Sequence, residues 1–307
     1  MKAVFYSKYG DPGVLEYGDQ PEPKVGPDTV LIEVKATSVN PVDWKVMAGY
    51  LDGAITAHFP VIPGWDVAGV VIQPGPAVPE FSAGDEVMGY VRMDTVGQGT
   101  FAERVAAPVR TLSRKPSNLS WAEAATVPLT GLTALQALDA LDVTDGDTVL
   151  IHNGAGGVGT FAIQIARARG ARVIATASER NHDFLRELGA EPVTYGDGIA
   201  GRVREIAPDG VTAVVDFVGG EDWKASLDAL SQQGRIVSVA DAEVKEHGGR
   251  YVFVRPVASD LATLADLIEA GKVKPVLAET YPLEKAADAF AANMEGHTRG
   301  KIAVTVN

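Results

Sequence analysis

A glycine-rich segment in the middle of the chain constrains the fold more than any other feature. Residues 154–159 follow an apolar, β-branched run at 147–151 and precede a run whose apolar residues recur at helical spacing. A strand, a G-x-G-x-x-G turn and a helix in this order bind the pyrophosphate of a dinucleotide. Gly154 is predicted to permit the tight turn, Gly156 to let the backbone approach the phosphates, and Gly159 to let the helix pack on the strand. The alternative interpretation is a glycine-rich turn without a ligand.

The composition narrows the class of protein. The chain has 307 residues, of which 46% are hydrophobic and 22% charged, and this predicts about two domains around large cores. A net charge of −13 argues against nucleic acid and anionic membranes as partners. The absence of cysteine excludes disulfides, thiolate metal ligands and a cysteine nucleophile. No apolar run is typical of a signal peptide or a membrane span, so we expect a cytoplasmic protein.

Two patterns of predicted secondary structure divide the chain. Residues 1 to about 120 contain short strand-like runs, such as 30–36 and 67–72, separated by Gly, Pro and Asp, and predict an irregular β-rich domain. From about 122 onward strands and helices alternate, which predicts a parallel sheet with right-handed crossovers. The predicted strands are 148–152, 172–177, 211–218 and 234–239, and the predicted helices are 158–169, 181–188, 199–206 and 221–230. Two helices near 258–270 and 283–293 and a strand at 302–306 are predicted to end the chain.

Further motifs follow in order along the chain. They are SVNPVDW at 38–44, PGWDVAG at 63–69, GDEVMG at 84–89, GTFAE at 99–103, GLTA at 131–134 and RGK at 299–301. With the glycine loop, they resemble the zinc-independent medium-chain dehydrogenase/reductases, in the quinone oxidoreductase (zeta-crystallin-like) branch. The resemblance implies an α/β fold in which a doubly wound Rossmann sheet is inserted into a β-rich GroES-like domain. Residues 1–121 plus 271–307 would form the GroES-like catalytic domain and 122–270 the Rossmann domain, with the last strand rejoining the first domain.

The positions of metal ligands in zinc-dependent relatives are changed here. Those relatives have a cysteine near the position of Asn40 and Gly-His-Glu where this chain has Gly64-Trp65-Asp66. The histidines are scattered, and His152, beside the glycine loop, is expected to make a structural polar contact. We therefore predict no metal site and a substrate that accepts a hydride without Lewis-acid activation.

The segment after the second Rossmann strand predicts the choice of nicotinamide cofactor. An NAD site usually has an acidic residue about 20 residues beyond the glycines, but this chain has Ala177 and Ser178 there. Ser178 can donate a hydrogen bond to a phosphate and Arg180 can supply charge, while Glu179 is expected to face solvent. By resemblance, Tyr195 lines the adenosine-phosphate pocket. We predict NADPH as the cofactor, and the alternative for Arg180 is an exposed charge at a helix start.

The resemblance also assigns roles around the nicotinamide. Asn40 would lie nearest the ring and steady the substrate carbonyl, with Thr130 beneath the ring and Asp43 bracing the loop. The alternative for Asn40 is a turn-forming residue before Pro41. Tyr50 is the candidate proton donor, although a pocket-wall role or donation by water would also fit. The remaining cofactor-binding candidates are Gly154, Ala155, Gly156, Gly157, Val158, Gly159, Val218, Gly219, Ser238, Val239, Phe253, Val254, Arg299 and Lys301, and the last two are equally consistent with a surface turn.

These features predict an NADPH-dependent enzyme that reduces quinones or α,β-unsaturated carbonyl compounds by hydride transfer. An enoyl-thioester reductase and a non-catalytic NADPH-binding protein are the alternatives. A small-molecule quinone or enone is therefore the expected partner. A homodimer is expected by analogy with the family, through an apolar sheet edge at residues 235–239.

Overall fold

The computed structural model describes residues 1–306 and contains two compact units. The first unit comprises residues 1–129, 256–269 and 275–306, and the second comprises 130–255 and 270–274. The predicted boundaries differ mainly at residues 256–269, which were expected in the second unit. That segment belongs with the first unit because the backbone amide of Ser117 donates to Glu269 and the Asn118 side chain donates to the carbonyl of Ile268.

Helices and strands follow one another along the chain much as the sequence pattern predicts. The helices are α1 (Pro41–Met47), α2 (Trp121–Ala125), α3 (Pro128–Ala140), α4 (Gly157–Ala168), α5 (His182–Glu187), α6 (Ile199–Ile206), α7 (Glu221–Ala225), α8 (Ala258–Glu269) and α9 (Ala286–Met294). The first nine strands are β1 (Lys2–Phe5), β2 (Glu16–Asp19), β3 (Thr29–Val39), β4 (Thr56–Ile62), β5 (Asp66–Pro74), β6 (Glu86–Tyr90), β7 (Thr95–Gln98), β8 (Arg104–Pro108) and β9 (Leu112–Arg114). The others are β10 (Thr148–Ile151), β11 (Arg172–Thr176), β12 (Glu191–Val193), β13 (Val211–Asp216), β14 (Leu230–Ser238), β15 (Arg250–Tyr251), β16 (Leu277–Pro282) and β17 (Lys301–Thr305).

The second unit is built on a parallel sheet in the order β12-β11-β10-β13-β14-β15. Numbered within this unit, the order is 3-2-1-4-5-6, which is the doubly wound Rossmann arrangement, and the order reverses between β10 and β13. The buried side chains Leu150, Ile174 and Val214 of three neighbouring strands pack with Trp223 into one core. This sheet confirms the predicted fold class and brings the residues after β10 and β13 to the same edge.

The first unit is built on a larger, mainly antiparallel sheet in the order β16-β17-β3-β5-β6-β9, with β8 also paired to β3. The last strand, β17, pairs with β3 through the register Ile302↔Val39, which confirms the predicted return of the chain to its first domain. This pairing places Lys301 close to Asn40 in space although they are 261 positions apart.

Two expectations about the end of the second sheet were wrong. The helix predicted at 221–230 ends at Ala225, and β14 already begins at Leu230 after a short 3-10 turn. The apolar run at 235–239 is not a free edge, because Val237 and Ser238 pair with β15. Across residues 1–306, no helix is both long and apolar enough to cross a bilayer.

Candidate functional site

The glycine loop connects β10 to α4 through a tight turn whose left-handed residue is Asn153, with φ = 56°. Gly154, predicted to permit this turn, does not have a positive φ. Asparagine is one of the few non-glycine residues that adopt this conformation readily. The backbone amide of Asn153 donates to Thr176 Oγ1 at 2.9 Å, and the amide of Gly154 donates to the Thr176 carbonyl at 2.8 Å. Thr176 at the end of β11 therefore holds the turn from the neighbouring strand.

Two glycines of the motif are required for steric reasons in this loop. A Cβ on Gly159 would lie 2.1 Å from the carbonyl oxygen of Asn153, so only glycine lets α4 begin this close to the turn. A Cβ on Gly154 would lie 2.8 Å from that of Ala175, so the side-chain space is filled by β11. Gly156 precedes the first residue of α4 and stays partly exposed, as do Gly157 and Val158. Although the amide of Gly156 donates to the Asn153 carbonyl, the partly exposed residues 156–158 at the N-terminus of α4 are suited to hold a pyrophosphate.

Asp216, at the carboxyl end of β13, organises the loops on the other side of the point where the strand order reverses. Its carboxylate accepts hydrogen bonds from the amides of Val218 and Gly219 and from the Ser238 hydroxyl, the last at 2.6 Å. The side chain of Ser238, predicted to line the nicotinamide ribose, is fully buried and engaged with Asp216. The sequence analysis gave Asp216 no role, although an acid ending an apolar strand before a glycine pair is a detectable signal.

The residues predicted to bind the adenosine end follow neighbouring strands. Ser178 follows β11 and Tyr195 follows β12, and these strands pair through Thr176↔Val193. Tyr195 is 52% exposed, and Arg180 is also exposed. Sequence reasoning missed Arg202 on α6, whose guanidinium donates to the carbonyls of residues 194–197 and so fixes the loop that carries Tyr195.

The other predicted cofactor residues differ in accessibility. Val218 and Phe253 are about half exposed, whereas Thr130 and Ala155 are buried. The intermediate positions are Gly219, Val239 and Val254, and Arg299 is exposed.

The first unit contains a buried polar cluster at the ends of β3, β5 and β17. Asp66 accepts hydrogen bonds from the Ser38 hydroxyl at 2.7 Å, from Asn40 Nδ2 at 2.8 Å and from the amide of Leu129 at 2.7 Å. Three donors around one fully buried carboxyl group are the arrangement that an ionised carboxylate requires. Burial raises the pKa of Asp66, and Lys301 and these donors oppose that rise.

Lys301 provides the positive charge of this cluster. Its Nζ donates to the carbonyl oxygen of Val39 at 2.6 Å and to Asn40 Oδ1 at 2.5 Å. Burial lowers the pKa of Lys301, while Asp66 and Asp43 oppose that change. Lys301 is only 4% exposed, so its ammonium lies against Asn40 and not on a surface turn, and its contact with a cofactor stays a prediction.

The side-chain amide of Asn40 is held from both ends. Because an ammonium only donates and a carboxylate only accepts, Lys301 and Asp66 fix which end of the amide is oxygen and which is nitrogen. Asn40 is fully buried at the N-cap of α1, where it forms a capping box with Asp43. The structure therefore makes Asn40 the centre of a buried network that also organises the start of α1, so the turn-forming interpretation describes part of its role.

Asp43 links this network to α1. It accepts a hydrogen bond from the backbone amide of Asn40 at 2.7 Å and is 4% exposed. Burial, reinforced by the nearby Asp66, raises the pKa of Asp43 to about 7. This carboxyl group therefore titrates near neutral pH.

The same cluster does not fit a zinc ion. Zinc requires three or four nitrogen, sulfur or oxygen ligands around it. The Asp66 carboxylate is occupied by three donors, and the ammonium of Lys301 lies against Asn40, so a divalent cation would meet a positive charge. Within the described part of the chain, no group of three or more His, Asp or Glu side chains is arranged to hold a metal.

The structure also defines the contacts of His152 and Tyr50. His152 Nε2 lies 3.2 Å from Ser226 Oγ, which itself donates to the carbonyl of Trp223, so Nε2 carries the proton and donates to Ser226. Burial lowers the pKa of His152, in line with a neutral structural imidazole. Tyr50 is 73% exposed, and its ring contacts Trp44 edge-to-face at 6.5 Å between centroids.

Known proteins share both the sequence and the fold. Residues 26–117 match the alcohol dehydrogenase GroES-like domain, and residues 188–304 match the zinc-binding dehydrogenase family model. A chloroplast envelope quinone oxidoreductase homolog of Arabidopsis thaliana is 34% identical, with 99% of this chain and 98% of that protein covered. An NADPH-dependent alkenal/one oxidoreductase of the same plant is 36% identical, over 99% of this chain and 79% of that protein.

A solved structure agrees with these sequence matches. The quinone oxidoreductase of Coxiella burnetii superposes with a TM-score of 0.90 and 36% identity, covering 100% of this chain and 99% of that one. Identity above 30% along nearly the whole of both chains identifies the family. The chain is an oxidoreductase and belongs to the medium-chain dehydrogenase/reductase family, in its quinone oxidoreductase branch.

Proposed function

We propose that this chain catalyses the NADPH-dependent, metal-free reduction of quinones or α,β-unsaturated carbonyl compounds. The glycine loop carries the proposal, because its partly exposed amides and the close approach of Gly159 to Asn153 suit a bound dinucleotide. The names of the two plant relatives support the substrate class. When bound, NADPH supplies the hydride.

Each unit of the chain has a separate task in this proposal. In the second unit, the loop amides would hold the pyrophosphate, and Asp216 fixes the backbone of Val218 and Gly219, which would line the nicotinamide ribose. In the first unit, the network around Asn40 fixes the start of α1, so Asn40 acts by positioning Asp43 and the first turn of that helix. Rigid positioning of both reactants is a major source of rate in hydride transfer.

The preference for NADPH rests on the adenosine end. Ser178 and Tyr195 follow paired strands, Arg180 is exposed nearby in sequence, and no acidic residue stands at Ala177 or Ser178. Arg180→Ala is expected to weaken NADPH binding about tenfold and to leave NADH binding unchanged, because it removes a charge that would face the 2′-phosphate, which NADH lacks. Arg186→Ala, an exposed arginine of α5, is the matched control. Equal loss for both cofactors would contradict the preference.

A metal-free reaction is supported by the residues present. The chain has no cysteine, and Lys301 brings a positive charge to the cluster of Asn40 and Asp66. Turnover that survives prolonged treatment with a strong chelator is the expected result. Loss of turnover that added zinc restores would refute it.

The proton that follows the hydride is assigned to Tyr50 or to water. The phenol of Tyr50 is exposed and its ring packs edge-to-face against Trp44, so the Tyr50 hydroxyl can exchange protons with solvent. Tyr50→Phe is expected to lower kcat and to leave the KM for NADPH unchanged. Full turnover of this variant across pH would assign the proton to water.

The decisive experiment follows NADPH oxidation with a quinone, a simple enone and an enoyl-CoA. Turnover with either of the first two supports the proposal. Turnover with the enoyl-CoA alone would identify an enoyl-thioester reductase, for which the net charge of −13 is unfavourable. Tight NADPH binding without turnover would identify a non-catalytic binding protein.

Assembly and location are further parts of the proposal. A homodimer stays a prediction by family analogy, although β15 pairs with part of residues 235–239, the sheet edge expected to form the interface. Light scattering of the purified protein tests it. A cytoplasmic location also stays a prediction, tested by cell fractionation.

A further inference from the structure

The segment that follows β15 contains Phe253 and Val254, two of the residues predicted to contact the cofactor. Because β10, β13, β14 and β15 are parallel, this segment leaves the sheet at the same edge as the glycine loop and the loop after Asp216. Ligands of open α/β sheets bind at this edge. Residues 252–255 form neither helix nor strand, so contacts outside the sheet must fix their position.

Hydrogen bonds within the second unit hold both ends of residues 252–255. At the first end, the amide of Val252 donates to the carbonyl of Ser238 at 3.0 Å. At the other end, the side-chain amide of Gln136 on α3 donates to the carbonyl of Arg255 at 3.0 Å and accepts from the Arg255 amide at 2.9 Å. We call this pair of hydrogen bonds the Gln136 clamp. The two residues in between are therefore held from both sides.

Glutamine is suited to this task because its side chain carries one amide donor and one acceptor on the same carbon, as a paired backbone does. The same helix also holds β15, since the guanidinium of Arg250 donates to the carbonyl of Ala140, the last residue of α3. α3 therefore supports both the strand and the segment that follows it.

The two residues between the anchored ends have groups available to a ligand. Across residues 1–306, the backbone amide and carbonyl of Val254 form no hydrogen bond with another protein group. Phe253 is 47% exposed and offers an apolar surface. One donor and one acceptor beside an aromatic ring complement a carboxamide on a flat ring, which is the chemistry of nicotinamide.

We propose that Gln136 is a positioning residue for the nicotinamide half of the cofactor, acting through the backbone of residues 252–255. This inference rests on the proposed function for the identity of the ligand as a nicotinamide dinucleotide. A segment that is fixed beforehand does not have to be ordered when the cofactor binds, and such preorganisation raises affinity. The sequence analysis gave Gln136 no role, because an amide on a helix has no motif.

α4 provides a matched control in Gln164. Its side-chain amide donates to the carbonyl of Lys274 at 3.0 Å and accepts from the Lys274 amide at 2.9 Å, which is the same pair of bonds. Neither Gln164 nor Lys274 has a predicted role at the cofactor. Gln136→Met and Gln164→Met each remove one such pair from a helix, and methionine and glutamine have similar helix propensities. A difference between the two variants therefore reports where the bonds are, not how many are lost.

The test compares the binding of NADPH with that of 2′-phospho-ADP-ribose, which keeps the adenosine half and the pyrophosphate but lacks nicotinamide. In calorimetric titrations, Gln136→Met is expected to bind NADPH about tenfold more weakly and the fragment as tightly as wild type. Gln164→Met should bind both like wild type, although both variants should melt at a similarly lowered temperature. With cyclohexenone as substrate, Gln136→Met should raise the KM of NADPH about tenfold and leave the KM of the enone unchanged.

Fragment binding also shows that the variant is folded. Unchanged NADPH affinity in Gln136→Met, or an equal loss for NADPH and the fragment, would overturn the inference. Gln136→Glu is a second variant, which keeps the acceptor for the Arg255 amide and loses the donor to the Arg255 carbonyl. It is expected to bind NADPH more weakly than wild type with unchanged fragment binding, and a loss shared by both ligands would again count against the inference.

Binding and turnover separate this inference from the proposed function. Normal enone turnover by wild type, with NADPH affinity unaffected by Gln136→Met, refutes the clamp and keeps the function. NADPH affinity that depends on Gln136, in a protein that reduces none of the quinones and enones, refutes the function and keeps the clamp.

Discussion

Replacing Lys301 by methionine tests the buried network more directly than any other change. The ammonium of Lys301 is 4% exposed and donates to the Val39 carbonyl and to Asn40 Oδ1. Methionine fills a similar volume but cannot donate. The substitution therefore leaves two buried acceptors without a donor and leaves the Asp66 carboxylate without its nearby positive charge.

The size of the effect follows from the burial of both partners. Lys301 and Asp66 are linked through the Asn40 amide, and removing one member of a buried charge pair costs about 3–5 kcal/mol, because the remaining charge stays desolvated. We expect Lys301→Met and Asp66→Asn to lower the free energy of unfolding by about 4 kcal/mol each. The double variant removes both charges, so it should lose only about 5 kcal/mol, since residues of one hydrogen-bond network couple by up to about 3 kcal/mol.

Equilibrium unfolding in urea, followed by tryptophan fluorescence, measures these losses. Trp44, Trp65 and Trp121 lie in the unit that contains the network, and Trp223 lies in the other. The control is Lys35→Met, which removes a partly exposed ion pair with Glu33 in the same unit and should cost less than about 1 kcal/mol. A loss for Lys301→Met as small as the control's, or additive losses in the double variant, would refute the buried-charge argument.

Three further predictions concern other parts of the molecule. Gly159→Ala should reduce NADPH affinity more than tenfold and lower the melting temperature, because its Cβ would lie 2.1 Å from the Asn153 carbonyl oxygen. Gly201→Ala in α6 meets no atom within 4 Å, so titrations should show unchanged affinity and thermal melts an unchanged or higher melting temperature, because alanine favours a helix more than glycine does. The folded-state pKa of Asp43, about 7, exceeds its unfolded value of 3.8, so its contribution to stability is complete below pH 3.8 and is lost as pH rises to about 7, by up to about 4 kcal/mol. Asp43→Asn should therefore reduce the dependence of the unfolding free energy on pH, measured by urea unfolding at several pH values. An unchanged pH dependence would assign it to other groups. Arg202→Met should weaken NADPH binding about tenfold in a fluorescence titration by releasing the loop of residues 194–197, and unchanged affinity would show that this loop does not contact the cofactor.

Local sequence patterns were enough to predict whether a segment forms a strand or a helix. The apolar strand before residues 154–159 and the helical spacing after them predicted β10 and α4 within a residue or two, because buried parallel strands and amphipathic helices have distinct periods. The family resemblance also predicted the return of the last strand to the first domain, and the structure shows that its partner is β3. Glycine requirements were readable as well, although the left-handed position belongs to Asn153 and Gly154 is required for space instead.

Contacts over long sequence separations could not be predicted in this way. The α7–β14 boundary was misjudged because a 3-10 turn and an early strand start have no periodic signal. In the sequence, Asp66 resembles an ordinary acidic residue of a strand, and Lys301 resembles a basic residue on the surface. Only the β17–β3 register brings the lysine to Asn40, and only the packed structure shows that it is buried there.

The glycine loop shows the same division on a smaller scale. Its residue types and spacing are enough to predict a dinucleotide site, since the steric demands of a strand–turn–helix junction are local. The first unit depends on tertiary structure, because the network of Asn40, Asp66 and Lys301 joins the ends of β3, β5 and β17, which no local pattern relates. The hydrogen bonds that hold the Asn40 amide exist only in the folded chain, since Lys301 is 261 positions away from Asn40 in the sequence.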